Sequence, residues 1–173
     1  MKKIFVIMTA SFFVLSACKD DKKDDKDDKK ETTMSTGESK QERNKKVIMA
    51  CMEAFNSNDM DKAFREIAPV YIDYTDGTMA PIHSVDSSKM FFGMIKASLP
   101  DYKGENHMYM ADGDQVAVFA DWSGTFQKDL MGIKASGKMI KYKDVDIFKL
   151  NDDGKITEHR SIANFPMVLQ GGK

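Results

Sequence analysis

Hydrophobic residues follow three successive patterns along this chain of 173 residues. An apolar run from Ile4 to Leu15 comes first, and a polar stretch, residues 19–46, follows it. Apolar residues then recur at helical spacing as far as residue 99, and beyond residue 115 they alternate with polar ones. Helical spacing predicts amphipathic helices, whereas alternation predicts half-buried strands. The pattern therefore predicts an α+β domain over residues 47–173, with N-terminal helices packed in a curved antiparallel sheet.

Three apolar stripes define the predicted helices. Asn58 and Asp59 interrupt the first stripe and can cap the second helix, which Pro69 is predicted to end. Ser84 or Asp86 can cap the third helix. Because methionine adapts to irregular gaps, the methionines on these stripes are predicted to fill the core. The inward-facing residues are Val47, Ile48, Cys51, Met52 and Phe55 in the first helix, Ala63, Phe64 and Ile67 in the second, and Met90, Phe91, Met94 and Ile95 in the third.

The predicted strands are separated by turn motifs. In the most regular strand, the even-numbered positions from Val116 to Phe126 form the apolar face. Residues 112–113 and 151–154 are rich in Asp, Asn and Gly, which is typical of hairpin turns. Strands are predicted at residues 70–74, 115–127, 139–150 and 156–165.

The alternation also predicts which polar side chains line the concave side of the sheet. On one strand Asp146 shares its face with Tyr142 and Asp144. On the last strand Arg160 shares its face with Asn164. Unpaired burial of several carboxyl groups is costly, and crowded carboxyl groups raise each other's pKa. The sequence therefore predicts an unusual polar floor inside the fold.

Two interpretations of this floor stay open. In the first, Trp122 and Phe126 form an apolar wall above it, and the cavity is shaped for a small amphipathic ligand. In the second, Arg160 only satisfies Asp144 or Asp146 at a wet end of the sheet.

Short motifs in a fixed order carry a family resemblance. They are Phe55-Asn56-Ser57-Asn58-Asp59, Pro81-Ile82-His83, Leu99-Pro100-Asp101, Asp112-Gly113-Asp114-Gln115-Val116-Ala117, Gly124-Thr125, and Asp146-Ile147-Phe148-Lys149-Leu150 leading through Asp153-Gly154-Lys155-Ile156 to Glu158. Their order and spacing resemble the SnoaL-like polyketide cyclases and the ketosteroid isomerases of the nuclear transport factor 2-like superfamily. The resemblance covers almost all of residues 47–170. It implies a cone with a central pocket, and a homodimer formed through the sheet.

The same resemblance implies where catalytic residues would stand. The general base of the cyclases corresponds to Asn164, and the early-strand histidine or aspartate corresponds to Tyr74. The cyclase histidine after Gly-Thr corresponds to Phe126, and the helical tyrosine of the isomerases to Cys51. Only their protonated aspartate has a match, in Asp146. Because an amide cannot accept a proton at working pH, the resemblance favours binding without turnover.

Three functions follow as hypotheses. The leading one is a pocket domain that binds a small, partly apolar ligand. The second is a cyclase-like or isomerase-like enzyme acting on an enolisable ester or ketone, with Asp146 as hydrogen-bond donor. If the alignment shifts, Asp73 or Asp76 can be its base. The third is a structural or partner-docking surface protein. The predicted ligand-binding residues are Tyr74, Trp122, Phe126, Tyr142, Asp144, Asp146, Arg160 and Asn164.

Charge and side-chain chemistry exclude other functions. Residues 47–173 carry 14 lysines and arginines against 18 aspartates and glutamates, with no basic patch, so nucleic acid is excluded as a partner. His83, His107 and His159 lack metal-ligand spacing and are predicted to have surface or capping roles, and we predict no metal and no cofactor. Cys51 lies on an apolar stripe and is predicted to be a core thiol rather than a nucleophile.

The N-terminal sequence predicts that the protein is exported from the cytoplasm. The apolar run is too short for a permanent membrane span and ends in Leu15-Ser16-Ala17-Cys18, which resembles the lipobox of bacterial lipoproteins. This resemblance implies a signal peptide over residues 1–17 and a lipidated Cys18 that anchors the chain to a membrane. The alternative is an ordinary secreted protein with a chance cysteine. The charged stretch from residue 19 to residue 46 is predicted to be a disordered tether.

The location of the anchored protein is predicted from the same segment. Lys19, followed by Asp20 and Asp21, resembles the export signals of surface lipoproteins in some Gram-negative lineages. The resemblance implies the cell envelope of a Gram-negative bacterium, in the outer membrane and exposed at the surface.

Overall fold

The computed structural model describes residues 38–171, so Cys18 and the tether up to residue 37 lie outside the described part. The elements are α1 (Lys40–Asn56), α2 (Met60–Ala63), β1 (Ile67–Asp73), α3 (Val85–Ser98), β2 (Lys103–Asp112), β3 (Gln115–Thr125), β4 (Met139–Leu150), β5 (Ile156–Ser161) and α4 (Phe165–Leu169). The five strands form one sheet in the order β1-β5-β4-β3-β2, in which β1 pairs parallel with β5 and the other pairs are antiparallel. The predicted α+β fold is confirmed, with one parallel pair added.

Helix α1 begins earlier than the sequence predicts. Ser39 caps it by accepting a hydrogen bond from the Glu42 amide at 3.2 Å, and Asn44 in its second turn is fully buried. Lys40 Nζ donates a hydrogen bond to the Asp152 carboxylate, in the turn between β4 and β5, at 2.7 Å. The predicted tether therefore ends before Lys40 and not at residue 46. The hydrophobic pattern does not predict the start of this helix, because its residues are mostly charged and its buried residue, Asn44, is polar. The apolar stripe starts only at Val47. None of the helices in the described range has the length and hydrophobicity that a membrane span requires.

Strand β1 contains a proline that was predicted to end a helix. Pro69 is exposed within β1, which runs from Ile67 to Asp73. The pairing with β5 shifts between Ile67 and Ile72, so the residues between them need not donate to the ladder. An edge strand tolerates proline for this reason.

The regular alternation of β3 and β4 gives the core of the sheet. Val116, Val118 and Trp122 are buried on the concave side, as predicted, and Asp146 pairs with Val118 across the two strands. Strand β2 was not predicted from the sequence, because its pairing with β3 shifts between residues 105 and 108. At such an irregularity the alternation of inward and outward side chains is interrupted.

Helix α3 presents a different apolar face from the predicted one. Ser84 caps it, as predicted, by accepting from the Ser87 amide at 3.3 Å. Ile95 is buried, whereas Met90 and Met94 are exposed. The prediction that these two methionines fill the core was wrong, because α3 packs against the domain along a single narrow side.

The last strand contains a β-bulge that changes which side chains face inward. The pairing of β4 with β5 shifts by one residue between Lys149 and Leu150, so one extra residue stands on β5. Consequently Ile156 and His159 are both buried although they are three residues apart, and Arg160 is exposed. The prediction that Arg160 lies on the concave side was wrong, as was the surface role of His159. Strict alternation cannot anticipate a bulge.

Candidate functional site

A cavity of about 110 Å³ lies between the concave side of the sheet and helices α1 and α3. Most of its wall is aromatic or aliphatic, which suits an apolar molecule. The apolar lining includes Met52, Phe55, Phe64, Phe91, Phe92, Ile95, Met131, Phe148 and Phe165. The polar lining consists of Tyr71, Thr75, Asp76, Tyr102, Tyr142, Asp144, Asp146, His159 and Ser161, to which Trp122 adds its indole N–H and Cys51 its thiol.

The structure brings four of the predicted site residues together around this cavity. They are Trp122, Tyr142, Asp144 and Asp146. Trp122 comes from β3 and the other three from β4, and the regular pairing of these two strands places all four on the concave side. Their role in binding a ligand stays a prediction.

The other four predicted residues lie outside the cavity. Phe126 is fully buried in the core, where its backbone N–H donates to the Lys138 carbonyl at 3.0 Å. Tyr74 lies outside β1, and the guanidinium of Arg160 stacks over its ring at 4.8 Å. Asn164 caps α4 by accepting from the Met167 amide at 2.9 Å. At the end of the last strand, Ser161 rather than Asn164 enters the cavity.

A buried histidine held between two carboxyl groups forms the polar floor. His159 Nε2 lies 3.1 Å from Asp146 Oδ1, and His159 Nδ1 lies 3.1 Å from Asp73 Oδ1. The Thr75 amide and the Tyr71 hydroxyl also donate to Asp73, at 2.8 and 3.3 Å. Asp73 does not line the cavity, whereas His159 and Asp146 do. Asp146, Asp73 and His159 are therefore the inward polar cluster, which sequence reasoning found only in part.

The charges of this cluster follow from its geometry. Burial works against the charged form of His159, but Asp73 and Asp146 outweigh it and raise its pKa from 6.5 to about 10. Burial also opposes ionisation of Asp73, yet the His159 cation and three hydrogen bonds lower its pKa. Burial dominates at Asp146 and raises its pKa, with His159 opposing the shift. His159 is thus a cation paired first with the Asp73 carboxylate.

The Asp144 carboxylate forms hydrogen bonds that fix the chain at the end of β5. Its carboxylate accepts hydrogen bonds from the Ser161 hydroxyl at 2.5 Å and from the Ile162 and Ala163 amides at 3.0 and 2.8 Å. The amide of Val145 also donates to it, at 2.6 Å. These donors leave Asp144 few free lone pairs, so it supports the turn into α4 instead of reaching for a ligand. Neither Asp144 nor Asp146 is satisfied by Arg160, contrary to the second interpretation of the floor.

Aromatic side chains fix the orientation of Trp122. Its ring stacks on Tyr102 at a centroid distance of 5.0 Å, and Phe55 meets it edge-on at 5.8 Å. The Tyr102 and Tyr142 hydroxyls share a short hydrogen bond, and burial raises the pKa of both phenols. Such packing restricts the indole to one position in the wall.

Three polar atoms of the cavity lining have no partner within the described part of the chain. They are Thr75 Oγ1, Trp122 Nε1 and Asp146 Oδ2. The indole N–H lies close enough to Asp146 to lower its pKa, but neither atom reaches a protein partner at hydrogen-bonding distance and angle. A buried donor and a buried acceptor therefore face the same space.

Within residues 38–171, the cavity lining offers neither a metal-binding cluster nor a reactive thiol. No cluster of three or more His, Cys, Asp or Glu side chains with metal-binding geometry occurs between residues 38 and 171. Cys51 lines the cavity and donates to the Ala63 carbonyl at 3.3 Å. Burial and the nearby Asp146 raise the pKa of the Cys51 thiol to about 12, so it stays protonated and unreactive at neutral pH.

The sequence model described as SnoaL-like polyketide cyclase matches residues 45–170. No curated protein matches the chain. Among solved structures, a candidate polyketide cyclase from Xanthomonas campestris is 18% identical with a TM-score of 0.69, covering 76% of this chain and 98% of that one.

Two structures from Streptomyces are also similar. AclR, a candidate hydroxylase from Streptomyces galilaeus, is 23% identical with a TM-score of 0.64, covering 76% of this chain and 97% of its own. IdmH, a candidate polyketide cyclase from Streptomyces antibioticus, is 24% identical with a TM-score of 0.61, covering 73% of this chain and 96% of its own. At these identities the similarity establishes the fold, and the names of these proteins do not transfer their activities.

Proposed function

The chain belongs to the SnoaL-like polyketide cyclase family, and we propose that its domain binds a small, partly apolar molecule in the central cavity without converting it. The observation that carries this proposal is a preformed cavity whose wall is aromatic and whose floor is the carboxyl group of Asp146. An apolar wall supplies affinity through burial, and one polar group fixes orientation.

Apart from Asp146, the carboxyl groups at the cavity are arranged for binding and not for turnover. A general base needs a free carboxylate within hydrogen-bonding reach of the substrate. Asp73 lies behind His159, away from the cavity, and Asp144 is occupied by the turn into α4. Asp76 lines the cavity, but it accepts from the Thr78 amide at 2.9 Å and from the Phe165 amide at 3.0 Å.

Ligand retention tests the proposed binding. The purified protein would be exposed to a bacterial metabolite extract, washed, and denatured to release bound molecules for mass spectrometry. We expect the wild type to retain a small, partly apolar molecule and Cys51→Phe, which fills the cavity, to retain none. Cys51→Ala is the matched control and should still retain it. Retention of nothing by the folded wild type would favour a structural or partner-docking role instead.

A second candidate function rests on the Asp146–His159 contact. A carboxyl group with a raised pKa, facing a cavity and held by a histidine, can act as a general acid and base in turn. The corresponding activity is proton transfer on an enolisable ester or ketone. Deuterium incorporation into such a ketone in D₂O, lost in Asp146→Asn, would support this candidate over pure binding.

We further propose that the domain is anchored to a membrane through Cys18. The support is the apolar run from Ile4 to Leu15 followed by Leu15-Ser16-Ala17-Cys18. Two or more acyl chains give stable anchoring, since each buried methylene contributes about 0.8 kcal/mol. The proposed location is the outer membrane of a Gram-negative cell envelope, with the domain held at the surface by the charged tether.

Acylation of Cys18 is a direct prediction of this proposal. Mass spectrometry of the mature protein from a Gram-negative host is expected to show a chain that begins at Cys18 with lipid on it. Cys18→Ser should block this processing and leave a longer, unlipidated chain. A mature N-terminus at any other residue would contradict the anchor.

The outer side of the sheet supports a proposed homodimer. Met108, Met110 and Phe119 are 54%, 58% and 37% exposed, and Met108 pairs with Phe119 across β2 and β3. Exposed apolar patches of this kind mark interaction sites. Phe119→Asp is expected to shift the protein from dimer to monomer in size-exclusion chromatography with light scattering. Met90→Asp on α3 should not, and a monomeric wild type at micromolar concentration would contradict the dimer.

A further inference from the structure

The cavity leaves a donor, Trp122 Nε1, and an acceptor, Asp146 Oδ2, unsatisfied close to each other, and Thr75 Oγ1 is a third unsatisfied atom in its lining. Trp122 and Asp146 are both buried, and neither Trp122 Nε1 nor Asp146 Oδ2 has a hydrogen-bond partner among residues 38–171. Each buried polar atom left unpaired costs about 1–3 kcal/mol, and native proteins leave few of them. Both residues line the same cavity, so one bound group can reach both atoms.

Resting on the proposed function, we propose that the ligand carries a neutral hydroxyl group that binds between Trp122 Nε1 and Asp146 Oδ2. A hydroxyl oxygen accepts the indole N–H while its own proton goes to the carboxyl oxygen. A ketone or an ether only accepts, so it leaves an ionised Oδ2 unpaired. If the carboxyl group is protonated, the hydroxyl oxygen can accept from it as well. A hydroxyl is therefore the group that fits both states of Asp146.

Neighbouring charges select against anionic ligands. Asp144 and Asp146 both line the cavity, while the His159 cation is shared with Asp73. A ligand carboxylate placed near Oδ2 would meet two carboxyl groups without a free cation beside it, and no lysine or arginine side chain lines the cavity within the described range. The ligand class is accordingly an apolar molecule with an alcohol, phenol or enol group.

Aromatic side chains elsewhere in the lining set the body of the ligand. Phe91, Phe92 and Phe148 line the same cavity as the polar pair. Phe92 and Phe148 also pack on His159, with centroid distances of 5.9 and 4.8 Å. A compact saturated or aromatic ring therefore fits better than a long polar chain.

A matched series of ring compounds tests the hydroxyl directly. The probes are 4-tert-butylcyclohexanol, its methyl ether, the corresponding ketone and 4-tert-butylcyclohexanecarboxylate. Trp122 is the only tryptophan of the chain, so its fluorescence reports occupancy of the cavity. We expect the alcohol to bind about tenfold more tightly than the ether, and the carboxylate most weakly, at neutral pH.

Variants separate this inference from the proposed function. Calorimetry on Trp122→Phe, which keeps a ring but removes the N–H, should show that most of the advantage of alcohol over ether is lost. Asp121→Asn on the outer side of the sheet is the matched control and should keep the full advantage. Equal binding of alcohol and ether to the wild type would overturn the hydroxyl proposal and leave pocket binding intact. Binding of no probe would overturn the hydroxyl proposal too, and extract retention would then decide pocket binding by itself.

Discussion

Replacing His159 with leucine is expected to lower the free energy of unfolding by about 3–5 kcal/mol, measured by urea denaturation at pH 7. The imidazolium is buried and separates Asp73 from Asp146, with 3.1 Å to each. Leucine has a volume similar to that of histidine. The expected decrease in the free energy of unfolding therefore comes from the missing charge and not from a cavity. Without the cation, two buried carboxyl groups face each other and at least one must take up a proton.

Two further variants make this prediction specific. His83→Leu, at an exposed loop histidine, should change stability by less than about 0.5 kcal/mol. Adding Asp73→Asn and Asp146→Asn to His159→Leu should recover part of the loss, because no uncompensated charge then remains. A loss below about 1 kcal/mol for His159→Leu would show that the cluster is not a charged one.

The same cluster predicts how stability changes with pH. The pKa of His159 is about 10 in the folded protein against 6.5 for a free histidine, so folding favours the protonated form. Its contribution is complete below pH 6.5 and is lost as the pH rises towards 10. The wild type should therefore lose stability across this range more steeply than His159→Leu. Equal slopes in the two proteins would contradict the raised pKa.

Replacing Phe126 with alanine is expected to destabilise the domain by about 3–5 kcal/mol without a specific effect on ligand binding. Its ring is fully buried in the core and does not line the cavity. Truncation therefore removes packing and leaves a void elsewhere. Affinity of the folded protein for 4-tert-butylcyclohexanol, measured by Trp122 fluorescence, should stay within about twofold.

Phe91→Ala is the matched variant, because Phe91 lines the cavity and is only partly buried. It should cost less stability than Phe126→Ala and weaken binding by roughly tenfold, as expected for lost apolar contact. If Phe126→Ala does not fold, Phe126→Leu gives the same comparison with a smaller loss. Weaker binding in the Phe126 variant than in Phe91→Ala would mean that Phe126 belongs to the site after all.

The parts of the site that sequence predicted are those on regular strands. Trp122, Tyr142 and Asp146 lie on β3 and β4, whose pairing continues without a shift from residue 115 to residue 125. There the period of two fixes each side chain to one side of the sheet. Alignment to the resembling families was less informative at the strand ends, where Asn164 turned out to cap a helix.

The missed parts depend on interactions that a local pattern does not contain. A bulge in β5 brings His159 inward, and a bulge has no periodic signature. The family resemblance implies a role for Asp73 only under a shifted alignment, and the structure indeed buries Asp73 while the ring of Tyr74 packs under Arg160. An inward Asp73 is stabilised in this sheet by His159, which pairs with it on β5. The sequence does not reveal this pairing, because it depends on β1 and β5 being neighbours in the sheet.

Native mass spectrometry of the ligand-loaded protein tests the central claim most directly. The stoichiometry of the complex with the molecule retained from the extract would be measured at once. The bound molecule would then be released, at once and after a day in D₂O at neutral pH and 25 °C, and analysed by chromatography and mass. Binding without turnover predicts one molecule per chain, with the same retention time and no more deuterium on carbon than the free molecule gains in D₂O. A new retention time, a new mass or extra deuterium on carbon that appears with the wild type and not with Asp146→Asn would contradict it, because the cavity would then be an active site.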